Sequence, residues 1–329
     1  MSTPLLTIII VAWNSEKYLP FCLKSIFNQT LKDFRVIVVD NGSEDETIKF
    51  IREQYPQITV LENKKNLGFA KANNQGLKLS KGEYVLICNP DIILEPDFLK
   101  QATETIKKDK KIAAAGGKLL KVKWSNEDLP NPEKTDIIDS LGLIPQKSHN
   151  FKEINSDKKD KPEETEQKQV FGISGALTLF RRSCLEQIKY QEEFFDENFF
   201  AYKEDIDIAW RLKLAGFTAV INPKATAYHF RGISGSDERK TRGKKINQLS
   251  HKNHLLLIIK NQTLTNLFIF QPHILLREFG KFLYLLIREQ STLLALGQFV
   301  KQLPSTLKKR KYILSKRKIS NKEIRQWFK

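Results

Sequence analysis

A carboxylate at the end of a strand suggests metal and phosphate binding. Residues 82–98 read GEYVLICNPDIILEPDF, and the apolar, β-branched run at 84–88 predicts a strand buried on both faces. Asn89 and Pro90 end the strand, because proline donates no ladder hydrogen bond. Asp91 then lies where open α/β sheets bind ligands, and it suits a hard cation that also binds phosphate oxygens. The structural alternative is a plain turn.

A second group of carboxylates follows the segment FFDENFF. Glu204, Asp205 and Asp207 fall in the first turn of a predicted helix that ends before Gly216. The helix dipole stabilises acids at this position, which is a complete structural explanation by itself. The same dipole keeps a carboxylate ionised, as a general base requires. The cluster is therefore a candidate source of a catalytic base.

Two segments near the first strands carry further candidate contacts. Asp40 follows an apolar strand at 34–39 and is either a turn aspartate or an acceptor for the ring N–H of a pyrimidine base. Gly68, within residues 66–76, indicates a close approach of backbone to a ligand or to the sheet. Lys71 is a candidate contact of a diphosphate, and either Asn73 or Asn74 is a candidate contact of a base or a ribose. Dinucleotide and P-loop glycine patterns are absent from the sequence, which disfavours those cofactors.

The elements that must position these residues alternate between strand and helix. Residues 5–12 form a buried apolar strand, and helices and strands then follow in turn as far as 84–88. This rhythm implies parallel strands with right-handed crossovers. We therefore predict an α/β fold with a mostly parallel, Rossmann-like sheet flanked by helices. Periodicity is lost at about 121–169, and residues 152–169 are almost wholly polar, which predicts an insertion without order.

The composition is that of a strongly basic globular chain. Its length of 329 residues favours about two domains. Of these residues 40% are hydrophobic, and the net charge is +17. Its three cysteines lie in apolar surroundings without paired spacing, which favours reduced thiols and a cytoplasmic protein. The N-terminal apolar run lacks the features of a signal peptide. No stretch reaches the ~18 uncharged apolar residues of a membrane span.

Four separated motifs resemble the inverting family 2 glycosyltransferases of the GT-A fold, and more narrowly their bacterial rhamnosyltransferase-like branch. The motifs are IIIVAWNSEKYLPFCLKSI, VIVVDNGSEDET, NLGFAKANNQG and YVLICNPD, and the resemblance extends over roughly residues 5–236. It implies a GT-A catalytic domain at 1–236. It also implies a UDP- or dTDP-sugar as donor and Mg²⁺ or Mn²⁺ as cofactor.

The resemblance gives roles to individual residues. It implies that Asp40 binds the base and that Asp205 of the Glu204-Asp205 motif is the catalytic base. It implies that Asp91 binds the metal or contacts the ribose of the donor. The other donor contacts that it implies are Ala12, Asn14, Gly42, Gly68, Lys71, Asn73, Asn89, Ser174 and Gly175. The family motif is often Asp-x-Asp, so Asn89 replaces its first acid. A family histidine can ligate the metal where His229 stands, which makes His229 the predicted second ligand. Residues 232–236, GISGS, predict a flexible loop that closes over the donor.

The last third of the chain predicts amphipathic helices and a basic tail. Residues 251–259 and 274–303 are apolar helical patterns interrupted by charges, and ten Lys or Arg follow Pro304. We predict that this helical region, 237–329, binds an anionic membrane surface peripherally on its cytoplasmic side. The alternatives are packing on the catalytic domain, with a solvated tail, or self-association.

The sequence thus predicts inverting, metal-dependent transfer of a sugar, with rhamnose as a candidate, to a cell-surface glycan or a lipid-linked acceptor. A nucleotidyltransferase on a similar sheet is one alternative, but residues 12–15 lack its Gly/Arg/Lys-rich loop. A nucleic-acid-binding protein is suggested by charge alone. It is disfavoured because the basic residues gather in a tail and no reader motif is present.

Overall fold

The computed structural model describes residues 3–124, 132–230 and 243–329, and it confirms the predicted α/β class. The strands are β1 (Leu6–Ala12), β2 (Phe34–Asp40), β3 (Thr59–Glu62), β4 (Tyr84–Cys88), β5 (Ile92–Leu94), β6 (Ile112–Trp124), β7 (Pro132–Ser140), β8 (Leu143–Pro145), β9 (Phe151–Glu153), β10 (Lys168–Val170), β11 (Leu177–Arg181) and β12 (Thr218–His229). The helices are α1 (Leu19–Phe27), α2 (Thr47–Gln54), α3 (Phe69–Leu79), α4 (Phe98–Lys107), α5 (Arg182–Ile188), α6 (Glu204–Leu214), α7 (Lys244–Asn261), α8 (Leu264–Arg288), α9 (Gln290–Leu293), α10 (Ala295–Ser315) and α11 (Asn321–Arg325).

One large sheet positions the candidate residues. Its main path runs β10-β12-β6-β11-β4-β1-β2-β3, with β5 beside β12 and β7 beside β6. The strands β4, β1, β2 and β3 are parallel, and Ala12 at the end of β1 pairs with Asp40 at the end of β2. Beyond β4 the sheet is mixed, since β11 is antiparallel to both β4 and β6, whereas β6 and β12 are parallel. The carboxyl ends of β1, β2 and β4 therefore open on one edge.

The core explains why these segments became strands. All of β4 is buried, as is β1 except for one half-buried valine, because helices cover both faces of the sheet. One apolar cluster includes residues of α1 and α4, and a second includes residues of α3, α5 and α6. A third cluster packs α6 against α7, α8, α10 and the C-terminal residues.

Residues 121–169 differ from the predicted insertion without order, since β7 to β10 lie within them. The prediction considered only the polar composition of this segment, and it was wrong because ion pairs join the polar residues to the sheet. Lys118 pairs with Asp160 at 2.8 Å, and Lys121 pairs with Asp157. Val170 of β10 is buried beside β12. The division of the chain near residue 236 remains a prediction, and the predicted loop at 232–236 lies outside the described residues.

The C-terminal helices have other bounds than the sequence indicated, since the predicted pattern at 274–303 is divided among α8, α9 and α10. α8 runs through Pro272, and α10 runs through Pro304, where the basic tail was predicted to begin. α10 packs closely along α7, and Lys309 and Ile313 of the predicted tail are buried. Among the helices of the described residues, none combines the length and the hydropathy needed to cross a membrane.

Candidate active site

The ends of β1 and β2 form the first wall of the candidate site. The Asp40 carboxylate accepts hydrogen bonds from the backbone N–H of Gly42 at 3.0 Å, the backbone N–H of Ser43 at 3.1 Å and the Ser43 hydroxyl at 2.5 Å. α2 begins four residues after Ser43, at Thr47. These contacts are those of a turn aspartate, so the base-binding role of Asp40 stays a prediction.

Ala12, Asn14 and Gly42 gather beside Asp40. The carbonyl of Ala12 accepts from the N–H of Asn41 at 2.8 Å, and the side chain of Asn14 accepts from the N–H of Glu44 at 2.9 Å. Gly42 has a φ of 77°, and a Cβ there would lie 2.9 Å from the backbone of Lys65. The four predicted contacts at this end of the sheet therefore share one corner.

The loop before α3 touches the segment that leads to Asp205. Gly68 has a φ of 90°, and a Cβ there would lie 2.6 Å from the ring of Phe200. Lys71 lies 3.6 Å from the Glu197 carboxylate. Asn73 is buried and donates to the carbonyl of its own helix at Phe69. The close approach predicted at Gly68 is therefore to protein, and the donor-binding roles of these residues remain predictions.

Asp91 and His229 lie together at the carboxyl edge. β5 pairs with β12, so that His229 stands opposite Ile92, and the Nε2 atom of His229 lies 3.4 Å from Asp91 Oδ2. The Nδ1 atom of His229 contacts Asp139 Oδ2 at 2.8 Å, and Asp139 is fully buried. Burial lowers the pKa of His229, but the two carboxylates outweigh it and raise the pKa to about 10.

The chemistry of these side chains fits a divalent cation. Asp91 Oδ1 and Asn89 Oδ1 are buried oxygens without a hydrogen-bond partner among the described residues, and oxygen atoms are the ligands that Mg²⁺ and Mn²⁺ prefer, while imidazole is a common ligand of metal ions in general. No three His, Cys, Asp or Glu side chains in the described ranges are arranged to hold a metal ion. Asp91 and His229 would therefore supply two ligands, since a metal ion would displace the proton from the imidazole, and phosphate or water would supply the others.

Asp205 lies close to this edge through a short chain of contacts. The N–H of Asn89 donates to the carbonyl of Ala176 at 2.8 Å, and the N–H of Gly175 donates to Asp205 Oδ2 at 3.1 Å. A Cβ on Gly175 would meet the Cβ of Asp205 at 3.0 Å. Ser174 is buried, and its carbonyl accepts from Thr178. The space beside Gly175 is therefore occupied by Asp205, and the donor contacts implied for Ser174 and Gly175 remain predictions.

Glu204 differs from its neighbour in ionisation. Burial and the nearby charge of Asp205 raise the pKa of Glu204 to about 8, so this carboxyl is mostly protonated at neutral pH. One of its oxygens, Oε2, is buried without a partner among the described residues. Asp207 is also buried and binds Arg211 at 2.9 Å. Among these three acids, Asp205 remains the candidate base.

Two residues of this region were missed by the sequence analysis. Asp139 lies within residues 121–169, where the sequence shows no regular periodicity, and it was not singled out there. Asn253 of α7 is fully buried and donates to carbonyls of the loop before Asp205. No local pattern marks either residue, because its partner lies 50 or more positions away along the chain.

The comparisons with known proteins agree with this architecture. The sequence matches the profile described as Glycosyl transferase family 2 over residues 7–189, more than half of the chain. A chondroitin synthase of Escherichia coli is 34% identical over 113 residues, which cover 33% of this chain and 16% of the synthase. The chain spans less than half the length of this and other curated relatives that it matches.

Two solved structures share the fold at low sequence identity. GalNAc-T7 with UDP, GalNAc and Mn²⁺ has a TM-score of 0.59 at 14% identity, over 79% of this chain and 48% of that chain. S. aureus TarS 1-349 in complex with UDP has a TM-score of 0.55 at 18% identity, over 98% of this chain and 88% of that chain. From the profile match and this fold, we conclude that the chain belongs to glycosyl transferase family 2.

Proposed function

We propose that this chain transfers a sugar from a nucleoside diphosphate to an acceptor hydroxyl with inversion at the anomeric carbon. The observation that carries the proposal is the placement of Asp205 against Gly175, beside the edge that holds Asn89 and Asp91. Family membership supports the reaction class. UDP in two structures of the same fold supports a nucleotide-sugar donor.

In this mechanism Asp205 accepts the proton of the acceptor hydroxyl as its oxygen attacks the anomeric carbon. Glu204 is mostly protonated at neutral pH and does not compete for that proton. Attack from the face opposite the leaving diphosphate inverts the anomeric centre in one displacement. A single carboxylate base is sufficient for this reaction.

The proposed cofactor is Mg²⁺ or Mn²⁺, held by Asp91 and His229. When bound, the ion neutralises charge on the diphosphate. We expect Asp91→Ala to weaken Mn²⁺-dependent binding of a nucleoside diphosphate more than His229→Ala does, because Asp91 contributes the charged oxygen. Calorimetric titration with and without Mn²⁺ measures this difference. Full transfer activity in excess chelator would remove the metal from the mechanism.

A donor screen tests the reaction class. Thermal shifts with UDP- and dTDP-sugars, in Mg²⁺ and in Mn²⁺, should identify the donor, because a bound ligand stabilises the folded state by mass action. dTDP-rhamnose belongs in the first set, since the sequence resembles the rhamnosyltransferase-like branch. Release of a nucleoside diphosphate supports sugar transfer, whereas release of pyrophosphate supports a nucleotidyltransferase.

The role of Asp205 has its own test. We expect Asp205→Asn to abolish transfer while donor binding survives, because the amide cannot accept a proton but keeps the shape of the side chain. Activity and donor affinity are measured on the same preparation. Exposed Asp136→Asn, on β7, is the control that should keep full activity. Near-normal turnover of Asp205→Asn would show that another group is the base.

The proposed acceptor is a cell-surface glycan or a lipid-linked glycan, reached from an anionic membrane surface. α8 exposes large apolar side chains, among them Phe268, Leu276 and Ile287, each at least 75% exposed. Residues 243–329 contain eighteen Lys or Arg and three Glu, so they carry +15 of the net charge of +17. Apolar area and positive charge together favour anionic lipid. Two copies of so basic a region repel each other, which disfavours self-association.

Vesicle sedimentation tests this placement. We expect binding to phosphatidylglycerol vesicles, partial release by high salt, and loss of binding in Leu276→Gln combined with Phe279→Gln. Leu79→Gln, at an exposed leucine of α3, is the matched control. Equal binding to phosphatidylcholine would contradict the electrostatic part, and no binding to either vesicle would contradict the whole. Concentration-dependent dimers without lipid binding would identify a second copy as the partner.

A further inference from the structure

The loop that leads into Asp205 has a backbone that its residue types do not favour. Phe200, Tyr202 and Lys203 have φ angles of 62°, 73° and 73°. In this left-handed region a side chain with a Cβ is strained, and glycine or asparagine is the usual occupant. Such strain persists only where the surrounding structure over-determines the conformation. The contacts that hold the loop should therefore lie outside it.

One buried amide of α7 meets three carbonyls of this loop. The Nδ2 atom of Asn253 lies 2.8 Å from the carbonyl oxygen of Phe199, 2.9 Å from that of Ala201 and 2.7 Å from that of Tyr202. An amide nitrogen carries two hydrogens, so the three oxygens share two donors. Three carbonyls from four consecutive residues converge on one nitrogen only where the backbone turns sharply. The hydrogen bonds of Asn253 therefore depend on the strained conformation of the loop.

Two buried lysines of the same helix hold the loop at its ends. The ammonium of Lys252 donates to the carbonyl of Asn198 at 2.6 Å. Lys260 lies 2.8 Å from Asp207 Oδ1 and also pairs with Asp196. Both lysines are at most 2% exposed. α7 thus contacts the chain before the loop, within it and after it.

On the donor side, the loop contacts the segment before α3. The N–H of Ala70 donates to the carbonyl of Phe200 at 3.1 Å, and the Phe200 ring packs on Gly68. The loop therefore lies between the predicted donor-binding segment and α7. A change in α7 would reach Asp205 through this loop.

We propose that Asn253 is a positioning residue for Asp205, and that α7 belongs to the catalytic unit. By holding residues 199–202 in this turn, in which Phe200 and Tyr202 have positive φ angles, Asn253 fixes where α6 begins and so where the Asp205 carboxylate lies. This inference rests on the proposed function for its effect on catalysis, but its effect on the loop does not depend on that function.

The test compares two buried asparagines of α7. Asn261 is equally buried and donates to Asp207 at 2.8 Å, and no described contact joins its side chain to residues 199–202. We expect Asn253→Ala to lower the kcat of transfer about 10- to 100-fold, as misplacement of a catalytic group does. The donor KM should change less than about threefold. Amide hydrogen exchange at 199–206 should accelerate in Asn253→Ala more than in Asn261→Ala.

Equal kcat values for the two variants, or unchanged exchange at 199–206, would overturn the inference. Failure of the proposed function looks different, because the wild-type protein would then release no nucleoside diphosphate while the exchange difference remained. Should Asn253→Ala not fold, Lys203→Gly is added, since glycine adopts the left-handed backbone without strain. A folded double variant supports the inference, and one that stays unfolded contradicts it.

Discussion

At the scale of single residues, three buried carboxyl groups have different roles because their neighbours differ. Asp139 contacts the imidazole of His229, Glu204 lies beside Asp205 with one oxygen unpartnered among the described residues, and Asp207 pairs with the cations of Arg211 and Lys260. Burial raises the pKa of Asp207, but these two cations outweigh it and lower the pKa. Environment, rather than residue type, decides which acid is ionised.

Replacing Asp139 tests its contact with His229. A carboxylate behind a ligating histidine fixes the orientation of the ring, and its loss typically weakens metal binding about 10- to 100-fold. We expect Asp139→Asn to weaken Mn²⁺ affinity by this factor, measured calorimetrically with a nucleoside diphosphate present. Exposed Asp136→Asn on the same strand should change nothing. Equal Mn²⁺ affinities would mean that Asp139 only stabilises the fold.

Glu204 predicts a pH dependence of stability. Its pKa is about 8 in the folded state, against the ordinary value of 4.5, so between these pH values the folded state retains a proton that the unfolded state has lost. This stabilising contribution is complete below pH 4.5 and is lost as the pH rises through 8, by up to about 1.4 kcal/mol per pH unit. Denaturant unfolding at several pH values should show a steeper decline for the wild type than for Glu204→Gln. The same pH dependence of unfolding free energy in the wild type and in Glu204→Gln would contradict this prediction.

At the scale of elements, the β6–β12 pair determines where His229 lies. The two strands are in parallel register on both sides of a bulge between Asn222 and Thr226, and the ladder resumes to pair His229 with Lys121. Gly117 faces this bulge, and a Cβ there would lie 1.8 Å from the carbonyl oxygen of Ala225. The bulge in β12 is possible because Gly117 has no side chain. The bulge in turn determines that His229 is the residue at the carboxyl edge of the sheet.

Gly117→Ala should therefore be destabilising. The added methyl group overlaps a backbone oxygen that cannot rotate away, so we expect the free energy of unfolding to fall by at least about 2 kcal/mol. Gly297→Ala on α10 is the control, since a Cβ there meets nothing within 4 Å. Removing a helical glycine should leave stability unchanged or raise it by up to about 1 kcal/mol. Urea unfolding of both variants checks this, and similar stabilities would contradict the predicted clash.

At the scale of the whole molecule, the C-terminal third is built into the fold. Lys309 pairs with Glu193 at 2.5 Å and Asp196 at 2.6 Å, and the N–H of Lys329 donates to the carbonyl of Pro145. Burial raises the pKa of Asp196, but Lys260 and Lys309 outweigh it and hold the pKa well below its usual range. Deletion of residues 304–329 would remove these contacts together with any membrane contact, so point substitutions separate the two effects better.

Two phenylalanines should separate stability from membrane binding. Phe328 is buried against the rings of His149, Trp210 and Phe270, whereas Phe268 is 80% exposed. We expect Phe328→Ala to cost about 3–5 kcal/mol of unfolding free energy. Phe268→Ala should stay within about 0.5 kcal/mol of the wild type but bind anionic vesicles less. Thermal unfolding and vesicle sedimentation of both variants check this. An equal loss of stability in the two variants would contradict the assignment of Phe328 to the core and Phe268 to the exposed surface.

The sequence by itself determined the local elements and the family. Apolar runs and strand-ending residues predicted β1, β2, β4 and α6 because a strand or helix repeats its pattern over a few residues. The motifs predicted family 2, which is confirmed, whereas the rhamnosyltransferase-like branch, the metal and the assigned site roles remain predictions. Asp91 was singled out from its position at the end of a strand, whereas Asp205 and His229 received their roles from the resemblance to the family.

Only the tertiary structure decided how the remaining charged and polar residues are paired. Asp139 joins His229 across 90 positions, and Asn253 joins the loop before Asp205 across more than 50. Residues 152–169 gained order, and Lys309 became buried, because distant opposite charges neutralise them. Local composition reports the cost of burying a charge but not the partner that offsets it. The tertiary fold determines which residue becomes that partner.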